Sequence, residues 1–178
     1  MDHSDHVALL RSGIPTPGGI WADFGSGWGA FTLALAELIG TKGTIYSVDK
    51  DRQALRRQEQ EMQVRFPDLR VHYLHRDYLQ TLDLPPLEGA VMANSLHFQR
   101  QKDRVLRTVR GYLQPGGRLI LVEYNTDRGN HWVPYPLSYK TWEVLAHRNG
   151  FTQTQWLSSR PSRFLGEIYA ALSYFDPL

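Results

Sequence analysis

The sequence predicts an α/β fold with a doubly wound, mostly parallel sheet of seven strands and helices on both faces. Strand-like and helix-like segments alternate along most of the 178 residues. This alternation is typical of an open parallel sheet. The last two strand-like segments follow each other without a helix between them, which predicts an antiparallel hairpin at the C-terminal end.

Composition and periodicity locate the individual elements. Apolar runs such as RLILVE at 118–123 predict buried strands, and Phe31, Leu35 and Leu38 recur at helical spacing. The segment LQPGG at 113–117 predicts a tight turn into the fifth strand. The predicted strands cover 19–24, 43–48, 70–75, 89–93, 117–123, 151–156 and 164–173. The predicted helices cover 2–11, 28–39, 52–65, 100–113 and 138–148.

The composition is that of a globular protein and excludes several functional classes. Apolar residues make up 42%, charged residues 21%, and the formal net charge is +2. So small a charge argues against a nucleic-acid partner, and no apolar run is long enough to span a membrane. The chain has no cysteine, which excludes disulfides and thiolate chemistry, and no metal site is predicted. Since no signal peptide is visible, we expect a cytoplasmic protein, with residues 1–178 forming one domain and a short helix and turn over 1–18.

A glycine-rich segment, DFGSGWG at 23–29, follows the first predicted strand. Its glycines allow a sharp turn and a close approach of the backbone to a ligand. The segment fits a dinucleotide or a nucleoside that carries an amino-acid tail. Asp23 favours the second ligand, because a carboxylate there would repel a pyrophosphate but would suit an ammonium group.

Polar residues also follow the next three strands, at the edge where ligands bind in such sheets. Asp49 lies 22 residues after Gly27, close to the spacing expected for an acid that binds ribose hydroxyls. Lys50 follows it and could flank an adenine. Asp77 and Tyr78 follow the third strand, and NSLH at 94–97 follows the fourth.

Taken in order, these segments resemble the class I S-adenosylmethionine-dependent methyltransferases, which have a Rossmann-like fold. The resemblance rests on DFGSGWG, Asp49, RDY at 76–78, NSLH and LQPGG, and extends over about residues 18–174. It implies S-adenosyl-L-methionine as cofactor and S-adenosyl-L-homocysteine as product. One departure from the family pattern is Trp28, whose indole could narrow the approach of the cofactor or pack over its methionine part.

The resemblance also implies a role for each of these residues. The methionine part would lie on Asp23, Gly25, Ser26 and Gly27. The ribose would bind Asp49, the adenine would lie beside Lys50, Asp77 and Tyr78, and Asn94 would be near the sulfonium.

The reaction itself requires mainly that an acceptor be placed in line with the methyl group. His97 is the candidate base, because it follows the central strand and its ordinary pKa is near neutrality. The segment 125–137 is the longest loop predicted on the ligand side, and its aromatic residues His131, Trp132 and Tyr135 could form the acceptor pocket. They could equally pack over the core as a lid.

We therefore expect a methyltransferase that acts on a small molecule, with the acceptor atom left open. A partner subunit, for instance a second copy in a homodimer, could complete the pocket. Two alternatives from other classes remain. One is a non-catalytic S-adenosylmethionine-binding module or partner subunit, and the other is an NAD-dependent oxidoreductase, which the glycine pattern allows and Asp23 argues against.

Overall fold

The computed structural model describes residues 1–176 and contains one sheet of seven strands in the order β3-β2-β1-β4-β5-β7-β6. Strands β1 to β5 are parallel, and β7 is antiparallel to both β5 and β6. The predicted sheet and its antiparallel C-terminal pair are thus confirmed. The strands are β1 Gly19–Phe24, β2 Gly43–Asp49, β3 Arg70–His75, β4 Leu87–Ala93, β5 Leu113–Tyr124, β6 Thr152–Ser162 and β7 Gly166–Phe175.

Five α-helices cover the two faces of this sheet. They are α1 His3–Leu10, α2 Ala30–Ile39, α3 Arg52–Arg65, α4 Lys102–Arg110 and α5 Tyr139–Arg148. Side-chain caps start three of them, because Asp2, Asp51 and Ser138 each accept a backbone N–H of the first turn. None of the helices in the described part of the chain is long and apolar enough to cross a membrane.

The core has two layers, one on each side of the sheet. Apolar side chains of α1, α2 and α3 belong to one layer, and those of α4 and α5 belong to the other. In β5, Ile120 and Val122 face the first layer, and Leu119 and Leu121 face the second. This alternation with a period of two is what a strand buried on both faces requires.

Some predicted boundaries were wrong for identifiable reasons. Helix α2 begins at Ala30 rather than at Trp28, because Gly29 has φ 85° and lies outside the helical region. Helix α4 covers 102–110 rather than 100–113, because Leu113 already pairs with Leu87 as the first residue of β5. The predicted LQPGG turn is an irregularity inside β5, where the register with β4 shifts between Leu87 and Gly89.

The connection between β3 and β4 contains no helix, which agrees with the predicted elements. It covers residues 76–86. Leu82 anchors the connection by packing into the second core layer. The chain crosses from β3 at the sheet edge to β4 beside β1, so the winding direction reverses between β1 and β4. A ligand site is expected outside the carboxyl ends of those strands.

Candidate cofactor and acceptor site

A cavity of about 500 Å³ opens at the carboxyl ends of β1 to β4. Its volume lies within the usual range for small-molecule sites, and its position is the one that the strand order predicts. It is lined by Gly25, Gly27, Asp49, Lys50, Asp77, Tyr78, Leu79, Asn94, Ser95, Phe98 and Gln99. The structure therefore brings together seven of the nine residues predicted to bind the cofactor.

The glycine loop between β1 and α2 forms the floor of this cavity. Gly25 has φ 78° and Gly27 has φ 52°, a region that side chains disfavour. A Cβ atom on Gly25 would lie 2.6 Å from the Cβ of Ser95. The loop is tied to the neighbouring strand because the amides of Gly25 and Ser26 donate to the Val48 carbonyl. Only glycine at position 25 permits this close packing.

Asp49 holds the glycine loop from the end of β2. Its Oδ2 accepts a hydrogen bond from the Gly27 amide at 2.7 Å, and its Oδ1 accepts one from the Asp51 amide at 2.7 Å. An ionised carboxylate has about four acceptor positions. Asp49 can therefore accept further hydrogen bonds from a ligand in the cavity.

Asp77 and Tyr78 close the side of the cavity that follows β3. Asp77 accepts from the Leu79 amide at 2.9 Å, which fixes the turn after the strand. The Tyr78 hydroxyl donates to the Ser95 carbonyl at 3.0 Å and accepts from Gln99 Nε2 at 3.2 Å. Burial raises the pKa of Tyr78 to about 12, so the hydroxyl stays protonated and joins the turns that follow β3 and β4.

A second, smaller cavity of about 260 Å³ is also lined by the glycine loop. It shares Gly25, Gly27 and Asn94 with the larger cavity and also includes the predicted residues Asp23 and Ser26. The hydroxyl of Ser26 lies 2.8 Å from that of Ser47 in the protein interior. Ser26 is thus held from the protein side as well as lining this cavity.

Unpaired polar atoms concentrate where the two cavities meet. Asp23 Oδ2 accepts from the Thr32 hydroxyl at 2.6 Å, but Asp23 Oδ1 is buried without a partner. Asn94 Oδ1 and Ser95 Oγ are also buried without partners, and Asn94 has the strained φ of 51°. Burial raises the pKa of Asp23 from 3.8 to about 7. Buried acceptors of this kind are rare in proteins, and they fit a ligand that donates hydrogen bonds.

Gln58 on α3 is a site residue that sequence analysis missed. The side chain is completely buried. Its Nε2 donates to the Gly27 carbonyl at 3.3 Å, and its Oε1 accepts from the Ser47 hydroxyl at 2.6 Å. It therefore supports the glycine loop from the protein side.

Trp28 lies outside the larger cavity. Its side chain is 60% exposed, and the Arg57 guanidinium lies 4.3 Å from its ring centroid. Trp28 lines the smaller cavity and also a further cavity between α1 and α3. Trp28 therefore does not line the larger cavity, and both roles expected from the sequence stay predictions.

His97 forms a buried pair with Glu123, which sequence analysis also missed. His97 Nδ1 lies 2.9 and 3.0 Å from the two carboxylate oxygens, and Glu123 is inaccessible to solvent. The pairing follows from the fold, because β4 and β5 are parallel neighbours and both residues are at their carboxyl ends. His97 adjoins Phe98, which lines the larger cavity. In a neutral ring, a proton on Nδ1 facing the carboxylate leaves Nε2 as the free base.

The 125–137 loop reaches the site through its backbone. The Tyr135 amide donates to the His97 carbonyl at 3.0 Å, and Lys102 Nζ lies 5.6 Å from the Tyr135 ring centroid. Trp132 is 69% exposed, and its indole contacts the His131 ring edge-on. His131, Trp132 and Tyr135 do not line either cavity, so the structure places the loop beside the His97 turn rather than inside a closed pocket.

Comparison with known proteins agrees with this architecture. A family model described as a methyltransferase domain matches residues 22–119, more than half of the chain. The chain is 31% identical over 113 residues to a hybrid PKS-NRPS synthetase of Talaromyces variabilis, covering 57% of this chain and 2% of that protein. It is 28% identical over 161 residues to an arsenite methyltransferase of Aquipseudomonas alcaligenes. This match covers 78% of this chain and 46% of that protein. The chain thus spans less than half the length of these curated relatives.

Solved structures show the same fold. The CurJ carbon methyltransferase superposes with a TM-score of 0.74 at 20% identity, over 92% of this chain and 50% of that one. A second structure is a 1,6-didemethyltoxoflavin-N1-methyltransferase of Burkholderia thailandensis, solved with S-adenosylhomocysteine. It superposes with a TM-score of 0.77 at 18% identity, over 98% of this chain and 78% of that one. The chain belongs to the class I S-adenosylmethionine-dependent methyltransferase family. This confirms the family, the fold and the cofactor expected from the sequence.

Proposed function

We propose that this chain methylates a small molecule whose acceptor atom loses a proton, with His97 as the base. The observation that carries the proposal is the buried pair of His97 and Glu123. His97 does not itself line the larger cavity, but the next residue, Phe98, does. An acceptor that already has a free lone pair would not require such a base. Carbon acids and ring N–H groups do require one.

The two cavities support a placement for the cofactor. They share Gly25, Gly27 and Asn94, so one elongated ligand can lie across the glycine loop. We place the ribose at Asp49, the adenine beside Lys50, Asp77 and Tyr78, and the sulfonium near Asn94. The amino-acid end then lies in the smaller cavity, where the unpaired Oδ1 of Asp23 suits an ammonium group.

His97 and Glu123 then act as a base and the residue that orients it. When bound, S-adenosylmethionine supplies an electrophilic methyl group and leaves as S-adenosylhomocysteine. His97 Nε2 takes the proton from the acceptor, and the electron pair of the broken bond to hydrogen forms the new bond to methyl. Glu123 holds Nδ1–H and stabilises the imidazolium that results.

We favour a carbon acid, an acidic C–H next to a carbonyl group, as the acceptor. A C–H bond of this kind must lose its proton before carbon can attack, so it depends most strongly on the base. The name of one structural relative points in the same direction, because it is a carbon methyltransferase. A ring nitrogen, as in the toxoflavin relative, is the second candidate. Arsenite fits less well, because soft thiophilic ions prefer thiolates and this chain has no cysteine.

Calorimetric titration with S-adenosylmethionine, S-adenosylhomocysteine and NAD tests the cofactor assignment. We expect micromolar binding of the two sulfur nucleosides and none of NAD. Binding of NAD alone would support the oxidoreductase instead. Binding of the sulfur nucleosides without methyl transfer to carbon, nitrogen or oxygen acceptors would support a non-catalytic module.

Substitution of His97 tests the base. With a 1,3-dicarbonyl compound as acceptor, His97→Ala should lower kcat by about 10²- to 10⁴-fold and leave the Kd of S-adenosylhomocysteine within about two-fold. Glu123→Gln should lower kcat less, because the ring remains but loses its orienting charge. The exposed His147, at the end of α5, provides a matched control in His147→Ala. Full turnover by His97→Ala would remove His97 from the mechanism.

A further inference from the structure

The smaller cavity contains an unassigned histidine on the N-terminal helix. His6, on α1, lines this cavity together with Asp23, Asn94 and the glycine loop. Its ring packs on Phe31 with centroids 4.7 Å apart. Among the residues that the structure describes, its ring nitrogens have no hydrogen-bond partner. The other histidine of α1, His3, instead pairs with Glu37 of α2 at 2.7 Å.

The charges of this cavity are complementary to those of an α-amino acid. Asp23 is its only carboxylate and His6 its only titratable base. Asp23 Oδ1 is buried and unpaired. Burial raises the pKa of Asp23 and lowers the pKa of His6. Burial thus favours the neutral forms of both groups, and a ligand with one ammonium and one carboxylate would favour their charged forms.

A helix end adds a second feature that suits a carboxylate. Helix α2 begins at this cavity, with Ala30 and Phe31 among the lining residues. Its N-cap is Gly29, which provides no side-chain hydrogen bond to the first turn. The first amides of α2 therefore remain available to an anion at the positive end of the helix dipole.

We propose that His6 and the N-terminus of α2 bind the carboxylate of the cofactor's amino-acid end, while Asp23 binds its ammonium group. This inference rests on the proposed function. It makes α1 part of the cofactor site, although α1 precedes every residue that the sequence analysis assigned to that site. Helix α1 is held for this role from two sides, by the pair of His3 with Glu37 and by the bond from Arg160 Nε to Asp5 at 2.9 Å.

Three ligands that differ only at the amino-acid end provide the test. S-adenosylhomocysteine carries both charged groups, its decarboxylated analogue keeps the ammonium alone, and 5′-methylthioadenosine carries neither. Calorimetry with His6→Ala should show affinity for S-adenosylhomocysteine reduced about ten-fold or more, since a charge-assisted contact is lost. Affinities for the decarboxylated analogue and for 5′-methylthioadenosine should stay within about two-fold of wild type.

The control variant is His147→Ala, at the exposed end of α5 and outside both cavities, and it should leave all three affinities unchanged. Unchanged binding of 5′-methylthioadenosine by His6→Ala also shows that this variant is folded. An unchanged affinity for S-adenosylhomocysteine, or an equal loss for all three ligands, would overturn the assignment of His6. If wild type bound none of the three, the proposed function itself would fail, a result distinct from failure of the His6 assignment alone.

Discussion

Asp23 combines a cost in stability with a proposed role in binding. Burial raises its pKa from 3.8 to about 7 in the folded protein. The folded state therefore holds this proton more tightly than the unfolded state, and ionisation lowers stability progressively as the pH rises from about 4 to 7. The isosteric Asp23→Asn keeps an acceptor for Thr32 but cannot ionise.

We therefore expect Asp23→Asn to raise the free energy of unfolding by roughly 2–4 kcal/mol at pH 8, from about 1.4 kcal/mol per pKa unit. The difference should shrink as the pH falls and vanish near pH 4. Urea denaturation at pH 4, 6 and 8 measures it. Parallel pH profiles for both proteins would show that Asp23 does not titrate in this range.

The same carboxyl group should make cofactor affinity depend on pH. An ammonium group binds the ionised form of Asp23, whereas the ligand carboxylate binds the protonated form of His6, so the two groups oppose each other as the pH changes. In His6→Ala only Asp23 remains, and the affinity for S-adenosylhomocysteine should fall as the pH drops below about 7. In His6→Ala with Asp23→Asn the affinity should be lower, and this pH dependence should be lost. Titration calorimetry between pH 5.5 and 8 measures this affinity. The same dependence on pH in both proteins would show that the Asp23 carboxylate does not bind the ammonium group.

Individual site residues could be predicted where they directly follow a strand. Asp49, Asp77 and Asn94 all follow strands that were identified from their apolar runs, and all three line the larger cavity. Glu123 could not be predicted, because it reads as the end of a buried strand and its partner lies 26 residues away. Only the parallel pairing of β4 and β5 brings the two together.

Among the elements, α3 has a structural role that its sequence conceals. Its residues RQALRRQEQEMQVR are mostly polar, but Gln58 shares a helix face with Ala54, Leu55 and Met62, whereas Gln60 lies on the exposed face. Gln58 is buried only because α3 packs beneath the glycine loop. Helical periodicity could have placed Gln58 on the buried face, but it does not show the bonds to Gly27 and Ser47.

Removing the amide of Gln58 should therefore loosen the glycine loop. Gln58→Leu leaves the Gly27 carbonyl and the Ser47 hydroxyl without this partner, which should cost about 1–3 kcal/mol of stability and weaken S-adenosylhomocysteine binding. Gln60→Leu makes the same chemical change on the exposed face of α3. Equal behaviour of the two variants in denaturation and calorimetry would mean that Gln58 does not support the loop.

At the scale of the whole molecule, strand alternation was sufficient to predict the sheet and the edge at which the site lies. Parallel strands present their carboxyl ends together, so a correct strand list places the site even when helix ends are wrong. The predicted elements also left the connection after β3 without a helix, but they could not show that Leu82 anchors it in the second core layer. The cytoplasmic location, the single domain over 1–178 and the homodimer stay predictions.

The connection over 76–86 also gives the chain a particular susceptibility to proteolysis. Arg76 is the only trypsin site within it and is exposed, and backbone outside regular structure is where proteases cut first. Cleavage there would separate β1 to β3 from the rest of the sheet, immediately before Asp77. A nucleoside resting on Asp77 and Tyr78 would shield that bond, so resistance to trypsin would report occupancy of the site before any methyl acceptor is known.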